Sequence, residues 1–316
     1  MKLVVLDSAS LGDDLPLHIL KELGDTEVYE SSTPDEVLQR VADADVVLIN
    51  KIKINSAVLD RAKRLKLICV FATGFDNIDI ISAKQKGVAV CNVPGYSTDS
   101  VALFTVSTAL ALYTRLKVYS RFVSDGSYTA SGIPNRLEPV YHELRGKVWG
   151  IIGCGNIGRA VARVAEALGA KVIVNKRTPT EEFTCVDIDT LCQESDIITV
   201  HCPLNDESRS LINSGTISLM KKDVCIVNSA RGAVVNEQDV AEAILNGKIG
   251  AYGSDVYTVE PFSAEHPFFK IKDLDNVILT PHCAWGAYEA RLRCLNIVYS
   301  NIEAFIRGEI QNRVDI

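Results

Sequence analysis

Three ionisable residues stand just beyond apolar runs in the C-terminal half of the chain. Arg231 lies in Asn228-Ser-Ala-Arg-Gly232, Glu260 in Asp255-Val-Tyr-Thr-Val-Glu-Pro261 and His282 in Thr280-Pro-His-Cys-Ala-Trp285. Open α/β sheets hold their ligands beyond the carboxyl ends of strands, which is where each of these falls. A guanidinium can clamp a carboxylate with two parallel hydrogen bonds and polarise the neighbouring carbonyl. An imidazole, with an ordinary pKa of about 6.5, can give or take a proton near neutral pH. A carboxylate beside it favours the protonated ring and fixes its tautomer. The set suits reduction of a small 2-keto acid, provided that a carrier supplies the hydride. Singly, each residue has a plainer reading: a surface ion pair, a loop carboxylate before proline, a turn histidine.

A site for such a carrier is written upstream. The apolar run Val148–Ile152 leads into Gly153-Cys-Gly155-Asn-Ile-Gly158, then a helical run over Arg159–Leu168 and a strand over Lys171–Asn175. Inside a strand–helix–strand unit this glycine spacing is a dinucleotide fingerprint rather than a bare turn. Gly153 permits the tight turn, Gly155 lets the backbone approach a pyrophosphate, and Gly158 lets helix and strand pack closely. Asn156 and Ile157 belong to this loop, and the helix after it turns its free N–H groups and positive dipole end to the phosphates. About 20 residues on, an NAD site usually carries a carboxylate for the ribose 2′-OH. Here the strand ends Val174-Asn175-Lys176-Arg177-Thr178. Lys176 and Arg177 would attract a 2′-phosphate that a carboxylate repels, with Asn175 and Thr178 as added hydrogen-bonders. NADP(H) is therefore expected. The alternative is NAD(H), with both cations merely solvated.

The elements that must position these residues follow a regular alternation. Strands are expected at Leu3–Asp7, Val46–Asn50, Leu67–Ala72 and Val88–Cys91, then at Val148–Ile152, Lys171–Asn175, Ile197–His201, Val224–Asn228, Gly250–Asp255 and Val277–Thr280. Most are near-continuous apolar runs, the pattern of parallel strands covered on both faces. The fold class is therefore α/β, doubly wound. Between the two series a strongly apolar helix is expected from Ser97 or Thr98 to about Phe122, followed by an aperiodic excursion over Ser124–Arg145. A last helix is expected at about Gly286–Gly308.

Bulk properties limit the function classes. At 316 residues two domains are expected, and 47% hydrophobic with 23% charged residues is an ordinary globular balance. A net charge of −7 disfavours nucleic acid or an anionic membrane as the main partner. The N-terminal run Met1–Asp7 turns polar too soon for a signal peptide, and no apolar stretch reaches a membrane span. Nine cysteines without a C-x-x-C pair favour reduced, mostly buried thiols in a cytoplasmic compartment over disulfides or a metal site.

These motifs, in this order and across the whole chain, resemble the D-isomer-specific 2-hydroxyacid dehydrogenase family. The matching segments are Ala72-Thr-Gly-Phe-Asp-Asn-Ile-Asp79, Asn92-Val-Pro-Gly95, the glycine loop, His201-Cys-Pro-Leu204, Asn228-Ser-Ala-Arg-Gly-Ala233, Gly253-Ser-Asp-Val-Tyr257, Glu260-Pro261 and Thr280-Pro-His282. The resemblance implies catalytic roles for Arg231, Glu260 and His282. It implies that Thr73, Gly74 and Phe75 hold the substrate carboxylate, with Trp285 also at the substrate. Asp255 would contact the nicotinamide carboxamide, and Cys202, Pro203 and Ala230 would line the dinucleotide. It further implies two Rossmann-like domains with a cleft between them. One is discontinuous (1–95 plus 287–316) and binds substrate; the other (96–286) binds the dinucleotide. A homodimer is implied as well, with the excursion embracing the second subunit. Ala284-Trp285 and the Asn92–Ala102 segment look like the glycerate dehydrogenase/hydroxypyruvate reductase branch, without the extra regulatory domain of long phosphoglycerate dehydrogenases. Alternatives are an aromatic or branched 2-keto acid as substrate, or a corepressor-like protein that senses the dinucleotide without turnover.

Overall fold

Short runs rich in Val, Ile and Leu become fully buried strands wherever helices cover both faces of a sheet. The computed structural model describes residues 1–316, which divide into two units: Met1–Ser97 with Gly286–Ile316, and Thr98–Trp285. The first holds a five-stranded sheet of β1 (Lys2–Val5), β2 (Asp25–Val28), β3 (Val46–Ile49), β4 (Leu67–Val70) and β5 (Ala89–Cys91). Its order is β2-β1-β3-β4-β5, and every pair is parallel. The helix Tyr288–Ile306 packs on β4, and the C-terminal tail returns to β5, where Asp315 accepts the Val90 N–H at 2.8 Å. At the point where strand order reverses, between β1 and β3, the buried Asp7 carboxylate accepts the N–H groups of Asn50 (2.9 Å), Lys51 (2.6 Å) and Ile52 (3.2 Å). This unit thus fills its own switch point with a side chain.

The second unit holds seven parallel strands: β6 (Val148–Ile152), β7 (Lys171–Asn175), β8 (Thr184–Cys185), β9 (Ile197–Val200), β10 (Cys225–Asn228), β11 (Ala251–Ser254) and β12 (Val277–Leu279). Their order is β12-β11-β10-β9-β6-β7-β8, so the reversal falls between β6 and β9. That is the dinucleotide-binding order, with its crevice at the reversal. Trp149 on β6 is fully buried and donates its indole N–H to Thr199 on β9 at 3.1 Å, tying the two central strands together.

Three features differ from the sequence-based expectation. The strands β2 and β8 were not expected. Both lie at sheet edges, and Asp25-Thr-Glu-Val28 is half exposed, so it carries no apolar run to betray it. The helix expected to reach Phe122 instead breaks into Thr98–Tyr113 and Leu116–Ser124, which meet at a 69° bend. Arg115 takes a left-handed conformation there (φ 56°), and its guanidinium donates to the Gly250 carbonyl at 3.2 Å. The first helix buries Ala102, Val106, Ala109 and Leu112 against the sheet and the helix Asn156–Ala167, whereas the second has no fully buried residue. Full burial ends at the bend, and beyond it Lys117 ties the second helix to the Leu274 (2.9 Å) and Val277 (3.2 Å) carbonyls. No single helix is long and apolar enough to cross a membrane.

Candidate active site

The glycine loop leaves β6 and enters the helix Asn156–Ala167. Gly153 has φ 88°, and a Cβ there would overlap the backbone of Cys202 at the end of β9. A Cβ on Gly158 would overlap the Gly153 carbonyl. Around Gly155, in contrast, nothing lies within 4 Å of the Cβ position. No side chain caps this helix, whose N-cap residue is Gly155. The loop is therefore packed where glycine is needed for the fold and open where a phosphate would approach, with the first helical N–H groups unclaimed by any side chain. These residues fit a dinucleotide.

At the end of β7, Lys176 is half buried and Arg177 exposed, and neither side chain makes an ion pair or hydrogen bond. Thr178 is exposed beside them, while Asn175 spends its amide N–H on the Val186 carbonyl (3.0 Å). Glu182, the carboxylate on this side, is taken up by Arg159 (2.6 Å) and Arg163 (3.0 Å) of the dinucleotide helix. Across the crevice, Cys202 is half buried and Pro203 exposed. His201 has both ring nitrogens buried and without any hydrogen-bond partner, and burial pushes its pKa down to about 3. It therefore stays neutral throughout the ordinary pH range.

The three candidate catalytic residues all lie in the second unit. Arg231 follows β10 at a turn pinned by the fully buried Asn228, whose side chain accepts the Ala230 N–H (3.0 Å) and donates to the Arg231 carbonyl (3.0 Å). The Arg231 guanidinium reaches back to the Ala230 carbonyl at 2.8 Å. Glu260 follows β11; one carboxylate oxygen accepts the Tyr257 N–H at 2.9 Å and the other lies 2.6 Å from Nδ1 of His282. His282 itself has φ 52°, a left-handed conformation rare for a side-chain-bearing residue. Two side chains hold it there. Asp255 is buried, and its carboxylate accepts the N–H groups of Cys283 (2.9 Å) and Ala284 (2.8 Å) and the Thr280 hydroxyl (2.7 Å). The Trp285 indole donates to the His282 carbonyl at 2.9 Å. The strained turn fixes the ring, and Glu260 engages one of its nitrogens. This leaves Nε2 as the atom able to exchange a proton with a ligand.

Residues 106–284 match the model of the D-isomer-specific 2-hydroxyacid dehydrogenase NAD-binding domain. The chain belongs to that family. It is 35% identical, over the full length of both chains, to a hydroxypyruvate reductase of Blautia hydrogenotrophica. A D-lactate dehydrogenase from Aquifex aeolicus, solved with NAD and lactic acid, superposes with a TM-score of 0.87 at 29% identity, covering 100% of this chain and 99% of the other. An acyclic imino acid reductase (Bsp5), solved with NADPH and D-Arg, gives a TM-score of 0.86 at 29% identity, over 99% of this chain and all of the other. This dehydrogenase is accordingly an oxidoreductase that uses a nicotinamide dinucleotide.

Sequence reasoning brought the dehydrogenase's three ionisable residues forward but missed what holds them. Asp255, expected at the nicotinamide, has both oxygens engaged within the protein as the anchor of the His282 turn. Trp285, expected at the substrate, also serves that turn. In the first unit, Thr73 donates its hydroxyl to the Val93 carbonyl (2.7 Å), Phe75 packs on the core, and Gly74 lies between them in the loop after β4. An asparagine closing the strand three residues before an arginine, as at Asn228, was the available signal for the turn; the multiple contacts of Asp255 had none.

Proposed function

We propose that this dehydrogenase reduces a short 2-keto acid of the hydroxypyruvate or glyoxylate type to the D-2-hydroxy acid, with NADP(H) preferred. The observation that carries the reading is the 2.6 Å contact between Glu260 and Nδ1 of His282. Glu260 stabilises positive charge on the ring, so Nε2 carries the proton that the substrate oxygen needs. Arg231 binds the substrate carboxylate and draws electron density from the carbonyl. Thr73, Gly74 and Phe75 of the first unit offer their amides to a substrate carboxylate, and Trp285 limits the size of the substrate. The dinucleotide rests on Gly153, Gly155, Asn156, Ile157 and Gly158, with Cys202, Pro203, Ala230 and Asp255 alongside. When bound, it supplies the hydride. Lys176 and Arg177, free of protein partners, receive the 2′-phosphate, with the Thr178 hydroxyl and the second amide N–H of Asn175 in support. The substrate class is supported by the hydroxypyruvate reductase among the relatives. The protein works as a homodimer through segment 124–145, where Ile133, Leu137 and Val140 are exposed.

Catalytic efficiency measured with NADPH and NADH against glyoxylate, hydroxypyruvate and phenylpyruvate tests this. The highest values are expected with NADPH and one of the two short acids. A clear preference for phenylpyruvate would overturn the substrate class, and one for NADH the cofactor assignment.

A further inference from the structure

The loop that carries Glu260 is exposed over Thr258–Pro261, yet it must hold a carboxylate 2.6 Å from a histidine on another strand end. Glu237, the first residue of the helix Glu237–Leu245, explains how. Its side chain is almost buried, and one carboxylate oxygen accepts the Thr258 N–H at 2.9 Å. The other lies 2.9 Å from Nε2 of His266, itself nearly buried. Nδ1 of His266 accepts the Phe268 N–H at 3.1 Å, so the ring's proton resides on Nε2 and is donated to Glu237. Phe262 (4.8 Å between ring centres), Phe268 (5.1 Å) and Tyr257 (6.2 Å) enclose the imidazole. On the opposite side, a Cβ on Gly232, the residue after Arg231, would overlap the Tyr257–Thr258 peptide. That peptide is thus gripped between the Arg231 turn and the Glu237 carboxylate. The adjoining Tyr257 N–H then donates to Glu260 at 2.9 Å.

We propose that Glu237 and His266 are positioning residues for proton transfer: they clamp the Tyr257–Thr258 peptide so that Glu260 meets His282. This rests on the reading that Glu260 and His282 form the proton-transferring pair. Without the clamp the loop retains Glu260 but presents it to His282 only part of the time. The protonated ring loses its stabilising partner for the remainder. The effect falls on kcat and on the acid–base profile, not on dinucleotide affinity.

A double-mutant cycle between Glu237→Ala and Glu260→Gln tests the proposal, with kcat, its pH profile, melting temperature and dinucleotide affinity read for each variant. Glu237→Ala is expected to lower kcat by roughly 10- to 100-fold and to move the pH profile in the direction that Glu260→Gln moves it, with dinucleotide affinity unchanged. Glu237→Gln keeps an acceptor for the Thr258 N–H and is expected to recover most of the loss. In the Glu260→Gln background, Glu237→Ala should cost little more. If Glu260→Gln is crippled but the two losses multiply, or Glu237→Ala leaves kcat unaltered, the clamp is refuted while the catalytic pair stands. If Glu260→Gln itself has no effect, the proposed reaction reading fails first, and the clamp with it. Should Glu237→Ala not fold, His266→Gln completes the same cycle with the same readings.

Discussion

Replacing His201 with phenylalanine should remove an acid liability built into the second unit. Both ring nitrogens of His201 are buried without partners, and burial pushes its pKa down to about 3. In the unfolded chain the ring titrates near its ordinary pKa of about 6.5. Between these values the unfolded state binds a proton that the folded state refuses. Stability from this residue is therefore complete above about pH 6.5 and is lost as pH falls toward 3. At pH 5 the unfolded form gains about 1.5 pH units of proton binding, or about 2 kcal/mol; at pH 7.5 it gains almost nothing. An apolar ring of similar shape forfeits no hydrogen bond here, because His201 makes none. For a unit of this size the difference corresponds to roughly 4–8 °C in melting temperature. The assay is thermal unfolding of wild type and His201→Phe without dinucleotide at both pH values. The drop from pH 7.5 to 5 should be smaller in the variant by that amount, whatever its baseline shift. Equal drops in the two proteins would show that His201 accepts a proton in the fold and would refute the argument.

The glycine loop gives a paired prediction. Gly153→Ala forces a Cβ onto the Cys202 backbone at positive φ, so it should lower the melting temperature and weaken dinucleotide binding together. Gly155→Ala meets nothing in the free protein, so it should leave the melting temperature unaltered and still weaken binding, by 10-fold or more, read by NAD(P)H fluorescence titration. Changing Lys176 and Arg177 to alanine should raise the KM for NADPH by roughly 10- to 100-fold while leaving that for NADH nearly constant, as measured by initial rates. A parallel rise for both cofactors would remove the two cations from the 2′-phosphate site.

Legibility in the sequence followed burial and locality. β3, β4, β6, β9 and β10 lie inside their sheets, so both faces are apolar and the runs stand out. β2 and β8 lie at edges and carry polar residues, so composition alone does not separate them from loops. The bend at Arg115 has no glycine or proline to announce it; it falls where the buried face of the first helix ends. The glycine fingerprint is local and was readable from spacing. The grip of Asp255 on Cys283 and Ala284 spans nearly 30 residues and depends on β11 and β12 lying side by side, which only the folded sheet supplies. The same holds for Glu260 and His282: their residue types named the chemistry, while the 2.6 Å contact is a product of the strand order.

The proposed proton donor is His282, with other residues holding the dinucleotide. Its most direct test is single-turnover reduction of hydroxypyruvate by His282→Asn with saturating NADPH, beside a titration of NADPH binding. A rate lower by roughly 10²- to 10⁴-fold is expected, with NADPH affinity within about twofold of wild type. A variant that turns over at the wild-type rate across the pH range would contradict it.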